Sequence, residues 1–482
     1  MTRRNALAAF ALFAAALYCY SLTFTGTLTS GDNQAQYLQP RQLLKGRVTF
    51  SADDHRQALV NDQWGLHTRF FLNHDGKTYS QMYGISQSVM ALPLFVCLKT
   101  AKRLAGLPRP ADTTLWAASW PVFTALSVLF IAAWLRRQGL NAAAASALVF
   151  AAAFASPLWM HSNMPYNVVG ETMLICASIW LCLRPPTRGT AVALGLLLGI
   201  GVATRPFFAV SLPAFVVWFA FGRKHLPWLL GSLTAVLAVI VGSHAHYFGS
   251  PLSTGYTHLG GGLHFNESWT RRISDIFLNS TKSPLYYFPL GLLLVPAFLL
   301  VLKRSLPVAL FIFLFCLPQF WLMPKISFWE NGPDLFVRYW LRVIPIAILA
   351  CSTAWAAPAP RTQTRRAGAF VFIALAVLGL RASILTVLTD ERGVHEQALE
   401  TMRTAAPLAN PSEYHESFFD VLLGQNIVSR YQMDALSQPR QYILFSEQPY
   451  AAARAALLVP GMLAFIGSCV LFFRAPSGSR NA

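Results

Sequence analysis

Uncharged apolar runs recur along this chain, and they constrain its fold more than any other feature. Ala6 to Phe24, Trp116 to Leu135, Leu226 to Ser243 and Ala367 to Leu380 carry no charged residue. They approach or reach the ~20 residues that span the hydrocarbon core of a bilayer. Apolar residues make up 55% and charged residues 12% of the chain, against about a quarter charged in a soluble domain. A water-soluble enzyme is thereby excluded, and an all-α polytopic membrane protein is expected.

The formal net charge of +18 would suit nucleic acid only if it lay on a continuous face. Instead Lys and Arg sit in short clusters between apolar runs, which marks them as topology signals; no nucleic-acid partner is expected. All seven cysteines (Cys19, Cys97, Cys176, Cys182, Cys316, Cys351 and Cys469) lie in apolar stretches without zinc or redox spacing.

Basic loops collect on the cytoplasmic side of a membrane. Arg3-Arg4, Arg136-Arg137, Arg184 to Arg188, Arg223-Lys224, Lys303-Arg304, Arg361 to Arg366 and the tail from Arg474 to Arg480 are the candidates. The first run follows Arg3-Arg4 and fits an uncleaved anchor better than a signal peptide, since no convincing small-residue cleavage site follows it. Placing every cluster inside requires an odd number of crossings between the first long loop and Arg136, although that stretch holds two apolar runs. Ser86 to Leu98, interrupted by Pro93 and followed by Lys99, Lys102 and Arg103, is therefore expected to lie in the outer interface.

About 12 spans result, near 5–24, 112–135, 142–158, 168–183, 190–204, 206–222, 227–247, 286–302, 306–323, 338–357, 367–389 and 456–474, with both termini inside. The expected organisation is a membrane core over 1–389 with outer loops 25–111, 247–285 and 324–337. An outer-face region over 390–455 and a last helix with a cytoplasmic tail over 456–482 complete it. Between FFL and TYSQMY, Asp75-Gly76 signals a hairpin. Arg205-Pro206 leaves almost no loop between two spans, so a turn or kink is expected there. No repeat, broken helix or mid-membrane polar cluster stands out.

Polar chemistry concentrates in the outer segments. Asp32 follows the first span by a few residues; it is either a general base at the membrane edge or, with Ser30 and Asn33, part of a helix N-cap. Glu171 follows HSNMPYNVVG, which carries His161, and enters a span. It either binds an acceptor or a cation, or sits in a helix first turn favoured by the dipole. Phe248-Gly249-Ser250-Pro251 and Thr254-Gly255-Tyr256 form an ordered loop in which backbone can approach a ligand closely. In FVRYWLRVIP, Arg338 and Arg342 stand at i and i+4 on one expected helical face. They either grip a phosphate or snorkel to the headgroups. Arg205 and Lys282 are weaker candidates of the same kind. No P-loop, dinucleotide-binding glycine motif or His-Glu-x-x-His appears, so ATP-driven transport is not expected.

In order, SGDNQAQYL, DGKTYSQMYGISQSVMALPLF, ATRP, FGSPLSTGY, KSPLYYFP and FVRYWLRVIP resemble the multi-spanning GT-C glycosyltransferases that use polyprenyl-phosphate sugars. That class includes protein O-mannosyltransferases and lipid A aminoarabinose transferases. The resemblance spans roughly residues 1 to 345. It implies a catalytic base at Asp32 and donor-phosphate contacts at Arg338, to which Arg342 and Lys282 are joined. Glu171, His161 and Tyr256 are left for the acceptor or other substrate groups. Glu171 stands alone where an Asp-x-Asp would be expected, and Val337 replaces a glycine before Arg338. No cofactor is implied with certainty, and a divalent cation is possible without being indicated. The implied partners are a polyprenyl-phosphate sugar and a lipid, glycan or protein acceptor, met on the outer face of a bacterial inner membrane. A transporter or lipid flippase, or a non-catalytic protein of the same fold, is the alternative.

Overall fold

The computed structural model describes residues 3–24, 31–60, 70–81, 85–107, 111–163, 166–221, 224–254, 269–279, 283–325, 336–356, 362–388, 418–423, 425–426, 428, 430–432 and 451–475. Helices dominate. In the first half they are α1 (Arg3–Thr23), α2 (Gly31–Leu44), α3 (Ala52–Val60), α4 (Ser86–Leu104), α5 (Asp112–Ala117), α6 (Ser119–Arg137), α7 (Ala142–Phe154), α8 (Pro157–His161), α9 (Asn167–Cys182) and α10 (Arg188–Thr204). After them come α11 (Leu212–Ala220), α12 (Leu226–Phe248), α13 (Trp269–Leu278), α14 (Pro284–Tyr287), α15 (Leu294–Leu302), α16 (Leu306–Leu322), α17 (Val343–Trp355), α18 (Thr362–Leu388), α19 (Phe418–Leu423) and α20 (Ala451–Arg474).

Among the described residues five helical stretches are long and apolar enough to cross a membrane: Arg3–Thr23, Asp112–Arg137, Leu226–Phe248, Arg366–Val387 and Ala456–Arg474. Shorter apolar helices occupy the other expected spans. The protein is an integral membrane protein.

Basic clusters gather at one end of the bundle. Arg136 Nη2 donates to Asn5 Oδ1 at 2.9 Å and to the Ala475 carbonyl, joining the start of α1 to the ends of α6 and α20. Arg137 and Arg184 both lie over the Trp180 ring. Gln138 donates to Thr353 Oγ1, and Arg304 to the Ala354 carbonyl. One set of helix ends is therefore lined with cations, as the placing of all basic loops on one side of the membrane requires.

The opposite end is built from interrupted helices, expected at Arg205-Pro206 but not at Pro157 or Pro289. Each interruption has a proline. Ser156 is extended before Pro157, Arg205 is extended (φ −157°, ψ 119°) before Pro206, and Phe288 leaves helical geometry before Pro289. A proline ring pushes the preceding residue out of the helical region and removes one donor. Serine hydroxyls help to satisfy the freed carbonyls: Ser156 Oγ donates to the Ala152 carbonyl at 2.6 Å and Ser383 Oγ to the Ser156 carbonyl at 3.3 Å. Such repair is what lets a broken helix persist away from water.

The first outer segment departs from an all-helical fold. β1 (Phe70–Leu72) and β2 (Tyr79–Gln81) pair antiparallel around the expected Asp75-Gly76 turn, where Gly76 has φ +63°. Phe50 and Phe70 pack with Ala35 in a small core. The hairpin docks on the end of α12: His74 N donates to the Tyr247 carbonyl at 2.9 Å, and the Phe71 and Phe248 rings lie 4.9 Å apart. Gly249 ends that helix at φ +70°, and a Cβ there would stand 2.9 Å from His74 Nδ1. Only glycine suits both the conformation and the approach. The stretch expected in the interface is the single helix α4, running on to Leu104.

α10 and α12 pack through Gly195 and Gly199. A Cβ at Gly195 would lie 2.5 Å from the Leu229 carbonyl oxygen, and one at Gly199 would lie 2.5 Å from Val236 Cβ. Small residues four apart let helix backbones approach in lipid. Gly195→Ala is expected to destabilise the protein by ~1–3 kcal/mol through overpacking, seen as a lowered thermal midpoint in detergent. Gly231→Ala, with nothing within 4 Å, should keep or raise the midpoint, since alanine favours the helix, and serves as the control.

Candidate functional site at the interrupted helix ends

The interruptions bring charged side chains from distant segments together. Glu171 lies in the second turn of α9, fully buried. Its Oε2 accepts from Arg342 Nη2 at 2.9 Å and lies 3.8 Å from Arg205 Nη1. Arg342 precedes α17 and is 1% exposed. Its Nη1 donates to Gln319 Oε1 at 3.0 Å, and its guanidinium lies 4.6 Å from the centre of the Phe207 ring. Gln319 in turn donates to Ser211 Oγ at 3.2 Å. Five elements thus meet on one carboxylate and one guanidinium.

A second layer adjoins the first. Arg205 lies over the Tyr339 ring at 4.5 Å, and Arg338 over the rings of Tyr166 and Tyr339 at 4.7 and 5.3 Å. The Trp120 indole donates to the Tyr166 carbonyl at 2.8 Å and fixes the start of α9. His161, at the end of α8, is fully buried with neither ring nitrogen hydrogen-bonded. Burial first and the Arg338 charge second push its pKa down to about 3, so the imidazole is neutral and has both a donor and an acceptor to offer. Glu171 Oε1 is also buried without a hydrogen-bond partner.

Several expectations are corrected. Arg338 and Arg342 do not share the face of one α-helix. Arg338 lies in a 3-10 turn, Phe336–Trp340, and α17 begins only at Val343. Pro345 is the reason, because its ring conflicts with the carbonyl four residues earlier, at Leu341. Arg342 is buried and engaged by Glu171 and Gln319, so it does not snorkel to headgroups. Glu171 is not a first-turn residue of its helix, so the dipole does not account for it; Arg342 does. Asp32 lies inside the first turn of α2, one residue past its start, and does not precede the helix as an N-cap.

The Asp32 side chain, Lys282, Tyr256 and most of 390–455 lie outside the described residues. Among the described residues no three His, Cys, Asp or Glu side chains meet as a metal site would require. Gln319 was missed, although an amide beside Pro318 in an otherwise apolar helix is the kind of intramembrane polar residue that marks a site.

No family model matches the sequence, and no curated protein is similar to it at a significant level. Solved structures with a distant likeness of fold include the following two. ArnT from Cupriavidus metallidurans, solved bound to undecaprenyl phosphate, has a TM-score of 0.45 at 14% identity, over 96% of this chain and 76% of that one. The archaeal oligosaccharyltransferase AglB from Archaeoglobus fulgidus, in complex with an inhibitory peptide and a dolichol-phosphate, has a TM-score of 0.48 at 13% identity, over 88% of this chain and 63% of that one. These values describe a distant likeness of architecture and identify neither a substrate nor an active residue.

A neutral buried histidine must take up a proton on unfolding at low pH, so the unfolded state binds more protons below its ordinary pKa. The His161 shift, from 6.5 to about 3, therefore costs stability as pH falls below 6.5. The thermal midpoint should drop between pH 7 and pH 5 more steeply in the wild type than in His161→Asn. Parallel pH profiles would show that His161 is not held neutral.

Proposed function

We propose that the protein is a membrane glycosyltransferase that moves a sugar from a polyprenyl-phosphate donor to an acceptor hydroxyl on the outer face of the membrane. The supporting observation is the convergence of Arg205, Arg338 and Arg342 at the end of the helices opposite the basic loops. A phosphate carried at headgroup depth needs cations there, and arginine suits its oxygens. The donor phosphate is assigned to Arg338, with Lys282 as a second cation. Arg342 acts indirectly, holding Glu171.

Asp32 is the proposed general base. Its helix joins the site through α4: Ser88 Oγ donates to the Gln36 carbonyl of α2, and Ser86 Oγ donates to Thr204 Oγ1, next to Arg205. The carboxylate takes the acceptor hydroxyl proton as that oxygen forms its bond to the anomeric carbon. The bond from that carbon to phosphate oxygen breaks on the opposite face, and the lipid phosphate leaves with the electron pair. Configuration is inverted, and protonated Asp32 returns its proton to water. Glu171, His161 and Tyr256 are assigned to acceptor or other substrate groups, and the membrane to the bacterial inner membrane, with its periplasmic face outward.

The interrupted helices also suit a transporter, in which half-helices surround a site near the bilayer midplane. Here the breaks lie at one end of the bundle with the arginines, which favours a site at the interface.

Purified protein in nanodiscs is expected to transfer labelled sugar from at least one of a panel of polyprenyl-phosphate sugars. Asp32→Asn should lower the rate by ~10²–10⁴-fold while insertion and thermal stability are kept. No transfer from any donor by the wild type would overturn the enzyme reading; full activity in Asp32→Asn would remove Asp32 from the mechanism.

A further inference from the structure

Polar groups buried without partners also occur along the seam between α2 and α4. Gln87 is 1% exposed, and neither its Oε1 nor its Nε2 has a hydrogen-bond partner; Gln36 is 2% exposed, with Oε1 unpartnered. Each such atom costs the folded protein the desolvation of a polar group, so a native structure retains it for a reason, among them a functional role, a bound water or an ion. The Ser88 hydroxyl, one residue beyond Gln87, donates to the Gln36 carbonyl at 3.1 Å, so α2 and α4 touch at these positions.

The seam also adjoins the arginine site. Gln87 and Met90 stand three residues apart on one face of α4, and a Cβ at Gly170 would lie 3.2 Å from Met90 Cε. That face therefore meets α9 one residue before Glu171. On the other side, Ser86 holds α4 to Thr204 at 3.1 Å, next to Arg205. Gln36 follows Asp32 by one turn of α2. The position of Gln87 is thus between the helix that carries the proposed base and the helix that carries Glu171.

The chemistry of the free groups narrows the ligand. Two amide oxygens accept and one amide nitrogen donates, and none carries charge. Neutral donors and acceptors match the hydroxyls of a sugar ring, whereas a phosphate would call for the cations found on the arginine side. In a glycosyl phosphate the ring is bonded directly to the phosphate oxygen, so a phosphate at the arginines brings its ring to this neighbourhood. We infer that Gln87, with Gln36, forms the subsite that hydrogen-bonds the hydroxyls of the donor's sugar ring and so sets which sugar is accepted. The inference rests on the glycosyltransferase reading.

The test measures binding to the full-length protein in nanodiscs, with undecaprenyl phosphate and undecaprenyl-phosphoryl sugars as probes. Gln87→Met keeps the side-chain length and removes the amide; Gln36→Met is the second variant should the first fail to fold. The expected result is affinity for the sugar-bearing lipid at least ~10-fold weaker in the variant, with affinity for the sugar-free lipid unchanged. Thermal stability of the ligand-free variant should equal or exceed that of the wild type, because an unpartnered amide has been removed. Equal weakening toward both lipids, no weakening toward either, or a less stable ligand-free Gln87→Met would overturn the subsite while the wild-type result stands. Wild-type protein that binds neither lipid would overturn the glycosyltransferase reading, and the subsite with it.

Discussion

Glu171 and Arg342 are separated by 171 positions in the chain and by 2.9 Å in space. Bringing a carboxylate and a guanidinium out of water costs several kcal/mol per ion, which their mutual attraction repays only with good geometry and further hydrogen bonds. Gln319 supplies one such bond, Arg205 a second charge and Phe207 an aromatic face. Removing Glu171 would leave the buried Arg342 without its carboxylate, so α9, the segment at Arg205, α16 and α17 are held to one arrangement at these ends. A buried pair is weak evidence for stability in its own right. Its more informative consequence is positional, because the residues that neighbour the pair, Arg205 and Arg338, are placed by the same helix ends.

The proline-directed breaks make that placement possible. A continuous helix through Arg205 would carry its side chain around with the helical period. The extended residue before Pro206 lets the guanidinium reach both Glu171 and the ring of Tyr339. Pro345 does the same for the arginine pair, stopping α17 at Val343 so that Arg338 and Arg342 face different partners. The serines that satisfy the interrupted backbone belong to the same design. Without the Ser156 and Ser383 hydroxyls, carbonyls near Pro157 would be exposed to a solvent unable to bond them.

Much of the architecture was legible because it depends on composition. The apolar runs and the basic loops set the number and direction of the expected spans. Arg136 bonding to Asn5 and to Ala475 is the physical form of that pattern. The hairpin was legible from Asp75-Gly76 because its turn chemistry is local. The site was legible only as a set of residue types. Nothing in the spacing of Glu171 and Arg342 shows that they meet, since the contact is made by tertiary packing. Arg338 and Arg342 were placed on one helix by period alone, and the proline three residues beyond Arg342 overrode it. Gln87 gave no signal in sequence. An amide becomes conspicuous only when it is buried and found without a partner.

This end of the bundle holds three buried or half-buried arginines on one side and two buried glutamines on the other. Cations lie on aromatic rings at Tyr166, Phe207 and Tyr339, where the ring faces offset part of the loss of water. Neutral amides lie on the α2–α4 side, where no described arginine joins Gln36 or Gln87 by a hydrogen bond. A glycosyl phosphate has the same division within one molecule, with charge on one side of the anomeric bond and hydroxyls on the other. The two sides of this end are joined by α4, whose Ser86 and Ser88 hydroxyls reach Thr204 and the Gln36 carbonyl.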